Sequence, residues 1–231
     1  MNNLEKLNEI LMSDKVVDQF YNEYNNNADF NTWLNSIMPE TQACEDQEQQ
    51  NPWHKYNVLG HILHSVEAIN QLDIDMPEKD RKMLSFTMFL HDMGKPECHI
   101  RRMKDGKMID SFFNHNLASE KIAKRVLNKF GFDNDDSAII STLVRDHDIF
   151  MFIKKNQTNN PHWKQLDSSV IDEEVAKLGM VGDGEKLMRE LVMVGRADSM
   201  AQNEKMTGES FELLDKFDTM LDSRANEHNM E

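Results

Sequence analysis

Met83-Leu84-Ser85-Phe86-Thr87-Met88-Phe89-Leu90-His91-Asp92-Met93-Gly94-Lys95-Pro96 is the stretch on which the reading of the whole chain turns. Its apolar residues Met83, Leu84, Phe86, Phe89 and Leu90 recur at three- and four-residue steps, the period of one helix face. Gly94 and Pro96 stop that helix. His91 and Asp92 stand where it ends, beside exposed turn backbone, and there an adjacent imidazole and carboxylate can face one metal ion. Taken alone the dipeptide more often marks a capping role, so its meaning depends on what the rest of the chain supplies.

Outward from this segment the same helical period dominates. The predicted helix containing Met83 runs from Glu78 to His91, and the one before it, from Tyr56 to about Leu72, carries the stripe Val58, Ile62, Val66 and Ile69. Upstream, Leu4, Leu7, Ile10, Leu11, Val16, Val17 and Phe20 give one or two short amphipathic helices, interrupted by Asn25-Asn26-Asn27; Glu45 to Asn51 reads as a polar loop ending at Pro52. Downstream, Asp105-Gly106 lies between short mixed runs within His99 to Phe113, which predicts a small hairpin or ordered loop. Helices follow over Asn116 to Phe130, ended by Gly131, then Asp135 to His147, Ser169 to Leu178, Glu185 to Gln202 and Glu209 to about Arg224. The class is all-α, with an N-terminal helical extension over residues 1–45 and a helical bundle over 46–231.

The chain has 231 residues, 39% hydrophobic, with 26 basic and 41 acidic side chains and a net charge of −15. With 12 Phe, 3 Tyr and 3 Trp it is too apolar and aromatic for a mainly disordered chain. No apolar run is long enough to span a bilayer, and the N-terminus lacks a basic segment followed by an apolar one, so no membrane association and a cytoplasmic location are expected. Cys44 and Cys98 are far apart and form no CxxC pair, which supports neither a disulfide framework nor a cysteine zinc site. The acidic balance opposes extended duplex binding, which draws on many Lys and Arg contacts. A small phosphorylated nucleotide, or one nucleic-acid end held at a cation, is still allowed.

Five positions carry metal-ligating chemistry at helix faces or ends. His91-Asp92 closes one helix, His61 is read as facing away from the Val58 stripe, His115 and His147 sit at a helix start and a helix end, and Asp198 lies on a late helix. Imidazole with carboxylate suits Mn, Fe, Co, Ni or Zn better than Ca or Mg.

The order His61, His91-Asp92, Asp198 resembles the signature of the HD-domain metal-dependent phosphohydrolases. More narrowly, Gln50-Asn51-Pro52-Trp53-His54-Lys55-Tyr56-Asn57-Val58 with His61 and His64, then Leu90-His91-Asp92-Met93-Gly94-Lys95-Pro96, is similar to the HD region of bacterial tRNA nucleotidyltransferases. Phe112-Phe113-Asn114-His115, the Ser119 helix, Leu143-Val144-Arg145 before His147, and Arg196-Ala197-Asp198 continue the likeness over roughly Met38 to Asn203. The nucleotidyltransferase domain that precedes the HD region in that family has no counterpart here, since no Gly-Gly or Gly-Ser dipeptide occurs and Asp73-Ile74-Asp75 lies after the first HD histidine. A free-standing HD domain is therefore expected, without nucleotide addition to tRNA.

The resemblance implies that His61, His91, Asp92 and Asp198 hold one divalent transition metal. Two-metal members of the wider superfamily imply a second at His115 and His147, with Asp92 bridging; the alternative is a one-metal site in which those histidines bind phosphate. The implied reaction is hydrolysis of a nucleotide phosphomonoester or phosphodiester, with 2′- and 2′,3′-cyclic phosphates as candidates. The alternative is a non-catalytic nucleotide or RNA-end binding module. Lys95 is expected beside Asp92 as a catalytic and phosphate-binding point charge. Arg145 and Arg196 are candidate phosphate clamps, each balanced by surface pairing, and His54 is a candidate substrate contact balanced by packing. His64, one turn from His61, competes with it as a ligand, and motif register favours His61. His99, His162 and His228 are expected at the surface. Arg101, Arg102, Lys104 and Lys107 read as a solvated hairpin or as a local patch guiding a phosphorylated substrate, and most of the 17 methionines as core filler.

Overall fold

The computed structural model describes residues 2–156 and 160–228. Among them the chain forms eleven α-helices in the order α1 (Asn3–Leu11), α2 (Val16–Asn26), α3 (Ala28–Ile37), α4 (Glu40–Asp46), α5 (Val58–Asn70), α6 (Glu78–Leu90), α7 (His115–Phe130), α8 (Asn134–Asp146), α9 (Ser168–Leu178), α10 (Gly184–Met200) and α11 (Gly208–His228). The all-α class holds. A hairpin of β1 (His99–Lys104) and β2 (Lys107–Phe112) separates α6 from α7, and its left-handed tip residues Asp105 and Gly106 explain why Asp-Gly marked it. A two-residue parallel pairing of β3 (Ile153–Lys154) with β4 (Lys164–Gln165) is the other strand contact.

Helix α5 is the axis of the bundle, packed by α6, α10, α2 and α4. That position corrects one expectation: His61 does not point out from an apolar stripe, because α5 is covered on nearly every side and His61 is buried like Val58, Ile62 and Val66. Helix ends follow local chemistry. The Asn57, Asp133, Asp167 and Asp183 side chains accept hydrogen bonds from backbone N–H groups in the first turns of α5, α8, α9 and α10. Gly131, at φ +77°, closes α7 where a left-handed residue was expected.

Residues 28–46, placed by the sequence reading in a helical extension without bounds for any helix of their own, form α3 and α4. Asn27, part of the Asn cluster read as an interruption, is the cap that starts α3 by accepting from Asp29 and Phe30 N–H. The four N-terminal helices share the core of the bundle: Phe20 of α2 meets Phe89 of α6 at 5.9 Å between ring centroids, and Leu7, Phe30 and Leu34 are fully buried. The expected boundary at 45/46 falls in the last turn of α4. Among the described residues no helix is long and apolar enough to cross a membrane.

Candidate metal centre

Four helix ends and one helix face converge. Helix α5 brings His61; α6 ends at His91-Asp92; α7 begins at His115; α8 runs into a short 3₁₀ turn, His147–Phe152, that carries His147 and Asp148; and α10 brings Asp198. Gly94 makes the convergence of α6 and α7 possible, because a Cβ there would lie 2.6 Å from the Ala118 Cβ, the His115 carbonyl oxygen and the Ser119 nitrogen. Its N–H donates to Ser119 Oγ at 2.9 Å.

Asp92 lies at the middle and faces two ways. Its Oδ2 is 3.2 Å from His61 Nε2 and 3.3 Å from His91 Nε2, while its Oδ1 is 3.0 Å from His115 Nε2 and 3.6 Å from His147 Nε2. Asp198 Oδ1 completes the first half, 2.9 Å from His61 Nε2 and 3.8 Å from His91 Nε2. Asp148 completes the second, 3.2 Å from His115 Nε2 and 3.5 Å from His147 Nε2. His61, His91, Asp92, His115 and His147 are buried, and only Asp198 and Asp148 are part-exposed, which gives the cluster an open side.

The imidazoles are set as ligands. His91, His115 and His147 each use Nδ1 to donate to a carbonyl three residues upstream, of Met88, Phe112 and Val144, at 2.6–2.7 Å. That bond turns the Nε2 of each ring toward the centre of the cluster. The Nε2 atoms of His115 and His147 face each other across 3.2 Å. Two lone pairs at that distance repel unless a proton or a cation sits between them. Three donor triads have their ligand atoms within 4.8 Å of one another: His61, His91 and Asp198; His91, Asp92 and His147; and His115, His147 and Asp148. Each of these groups offers donors that could hold a metal ion, with Asp92 lying between the two halves.

Electrostatics agree with a cation site. Burial works to raise the Asp92 pKa, yet the charges of His91 and Lys95 and hydrogen bonds from His115 and His147 hold it well below the usual carboxylate range. Asp198 is also held low, with His61 outweighing burial. Burial opposes protonation of His147, but Asp148 and Asp92 outweigh it and push its pKa up to about 9. In effect a proton takes the place that a cation would fill.

Lys95 is 5% exposed, with Nζ 2.6 Å from Asp92 Oδ2, 3.0 Å from Gln49 Oε1 and 3.4 Å from His54 Nε2. Three acceptors match its three protons, so it braces Asp92 from behind. His54 reaches the cluster's edge, its ring 4.9 Å from that of His61, and burial and then the Lys95 charge keep it neutral. The two arginines are not brought to the cluster. Arg145 makes a two-pronged pair with Asp146 at 2.7 and 2.8 Å. Arg196, two residues and about 200° round the helix from Asp198, pairs with Asp215 and Asp218 of α11. His64 stacks on Tyr56 at 4.0 Å between ring centroids and takes no part in the cluster, which leaves the ligand position to His61. His99 pairs with Asp110 at 2.9 Å rather than standing alone at the surface, His162 is exposed, and the side chain of His228 lies outside the described residues.

Sequence reasoning missed two residues. Asp148 follows His147 as Asp92 follows His91, and this repeated dipeptide was an available signal. Gln49 sits in a polar loop with no pattern to distinguish it.

No family model matches the chain. Among curated proteins it is 28% identical over 111 residues to a bifunctional uridylyltransferase/uridylyl-removing enzyme of Streptomyces coelicolor, and 25% identical over 127 residues to the enzyme of the same name from Cereibacter sphaeroides. These alignments cover 48% and 49% of this chain but only 11% and 12% of the relatives, so the chain corresponds to a small part of their length. The similarity is distant and partial, and both relatives are nucleotidyl-handling enzymes by name.

Proposed function

We propose that the chain is a metal-dependent phosphohydrolase of the HD type, cleaving a phosphoester of a nucleotide or of a nucleic-acid end. The observation that carries this reading is the pair of imidazole nitrogens 3.2 Å apart beside a buried carboxylate, one oxygen of which faces His61 and His91 and the other His115 and His147. A fold held together by apolar packing has no use for such an arrangement, which is costly without a cation. The distant relatives add a consistent chemical class, because removal of a uridylyl group is cleavage of a nucleotidyl phosphoester.

His61, His91, Asp92 and Asp198 would hold one cation and His115, His147, Asp148 and Asp92 a second. Two cations there supply Lewis acidity, an activated water and charge neutralisation for the phosphoryl group. The chain's own groups do the rest. Lys95 keeps Asp92 ionised and fixed in rotation, and the carbonyls of Met88, Phe112 and Val144 hold three rings edge-on to the centre. Asp148 and Asp198, on the open side, are the groups nearest solvent through which a substrate phosphate enters. The test is a panel of nucleotide phosphomonoesters, phosphodiesters and cyclic phosphates assayed with Mn, Fe, Co, Ni, Zn and Mg in turn, with Asp92→Ala alongside. Transition-metal-dependent turnover lost in Asp92→Ala is expected; metal retention with no turnover on any ester would favour the binding-module alternative.

A further inference from the structure

The hairpin between α6 and α7 is a basic surface on a strongly acidic protein. Between His99 and Phe112 it holds Arg101, Arg102, Lys104 and Lys107 against Asp105 and Asp110, in a chain of net charge −15. Arg101 is engaged, bonding Gln50 Oε1 at 2.8 Å and lying 3.5 Å from Asp110. Arg102, Lys104 and Lys107 have no carboxylate within 4 Å among the described residues, and both lysines are exposed. Two of these cations lie on aromatic rings: Arg102 is 5.1 Å from the Phe113 centroid, and Lys104 is 4.7 Å from that of Trp53. Phe113 is 57% exposed, unusual for a phenylalanine, and Met103 and Met108, paired across the strands, are 63% and 48% exposed.

Both ends of this surface are fastened to the metal centre. The first strand leaves the turn that carries Lys95; the second ends at Phe112, whose carbonyl orients His115, and Phe113 is two residues before that ligand. The Trp53 loop is tied on by paired bonds between Gln50 and Asp110 and by Asn203 N–H donating to the Trp53 carbonyl at 2.8 Å.

We infer that this hairpin is a track for the last few nucleotides of a single strand, with a base stacking on Phe113 and the strand's terminal phosphate delivered to the metal centre. Exposed rings bearing cations are the surface that unpaired bases and phosphates share, and a duplex offers no such free bases. The inference rests on the phosphohydrolase reading for what happens to that phosphate, but not for the binding itself.

The test is the affinity of an end-labelled single-stranded RNA hexanucleotide, followed by fluorescence anisotropy over a salt series, for the full chain and its variants. Three cations predict a slope of log affinity against log salt of about −2. Phe113→Ala and the double change Lys104→Glu with Lys107→Glu are each expected to weaken binding about tenfold or more, with metal content unchanged in both. Asp92→Ala, stripped of metal, is expected to keep binding the strand. No strand binding by the parent protein, equal binding of a glutamate-rich peptide or of a duplex of the same length, or unaltered affinity in both variants would overturn the inference. If the parent binds the strand but retains no metal, the phosphohydrolase reading fails and the track stands; if it retains metal but ignores the strand, the reverse holds.

Discussion

Lys95 and Asp92 make one buried ion pair at 2.6 Å, and around them the chemistry of single residues is legible. Asp92→Ala removes an oxygen from both halves at once and is expected to abolish stoichiometric metal retention while far-ultraviolet circular dichroism stays near that of the parent. Gln49→Leu takes away one of the three acceptors that place the Lys95 ammonium. By analogy with other outer partners of metal ligands it should cost about 10–100-fold in metal affinity or turnover, read by metal titration and ester hydrolysis; an unchanged protein would mean that Gln49 places nothing. The raised His147 value sets the pH dependence of metal uptake. Below about 9 the folded apo-protein holds a proton that a cation must displace, so apparent affinity is expected to rise with pH from 6 toward 9, with proton release measurable by calorimetry in buffers of different ionisation enthalpy. His61, His91, Asp92, His115, His147 and Asp198 stood out in the sequence as imidazole or carboxylate groups at predicted helix faces or boundaries, and the HD resemblance supplied the ligand roles expected of them. Gln49 was not, since an amide in a polar loop looks like any solvated residue until the fold sets it against a buried lysine. The phosphate roles expected of Arg145 and Arg196 came from nearness in sequence to a ligand, and helical rotation sends Arg196 to the opposite side.

At the level of elements, the helices from α5 to α10 were found to within one or two residues, while α11 runs four residues past the expected end at Arg224; α6 ends at Leu90 with His91 as its cap. Helix α3 was given no bounds although Phe30, Trp33, Leu34 and Ile37 recur at helical spacing, because the preceding Asn25-Asn26-Asn27 read as an interruption; α4 has few apolar residues, and packing against α5 supplies what its own periodicity does not. The close approach of α6 and α7 at Gly94 should be intolerant: Gly94→Ala is expected to destabilise by about 1–3 kcal/mol in thermal or denaturant unfolding, and to weaken metal binding through displacement of His115. Helix α10 carries an opposite case. Burial raises the Glu190 pKa to about 7, only partly offset by Lys186 3.7 Å away. A carboxyl whose folded value lies above its unfolded one binds more protons when folded, so stability falls as pH rises from about 4.5 to about 7 and is flat above. Glu190→Gln should therefore raise the melting temperature at pH 8 and make little difference at pH 4; a loss of stability at pH 8 would show that the carboxylate is used.

On the scale of the whole molecule, apolar periodicity gave the helical class, and composition gave a chain with a large core and no membrane-spanning helix among the described residues. What they could not give was the meeting of five chain segments from His61 to Asp198 at one buried point, which depends on α5 lying at the axis of the bundle. With a net charge of −15, long duplexes are expected to bind weakly at physiological salt, and tight duplex binding by metal-free protein would contradict that. The proposed centre holds two cations that share the Asp92 carboxylate. Elemental analysis of purified protein after saturation with Mn or Fe and removal of free metal tests it most directly. The account predicts close to two ions per chain, about one in a variant in which both His115 and Asp148 are replaced by Ala, and none retained by Asp92→Ala; a parent that stays at one ion or none, or an Asp92→Ala variant that keeps two, would contradict it.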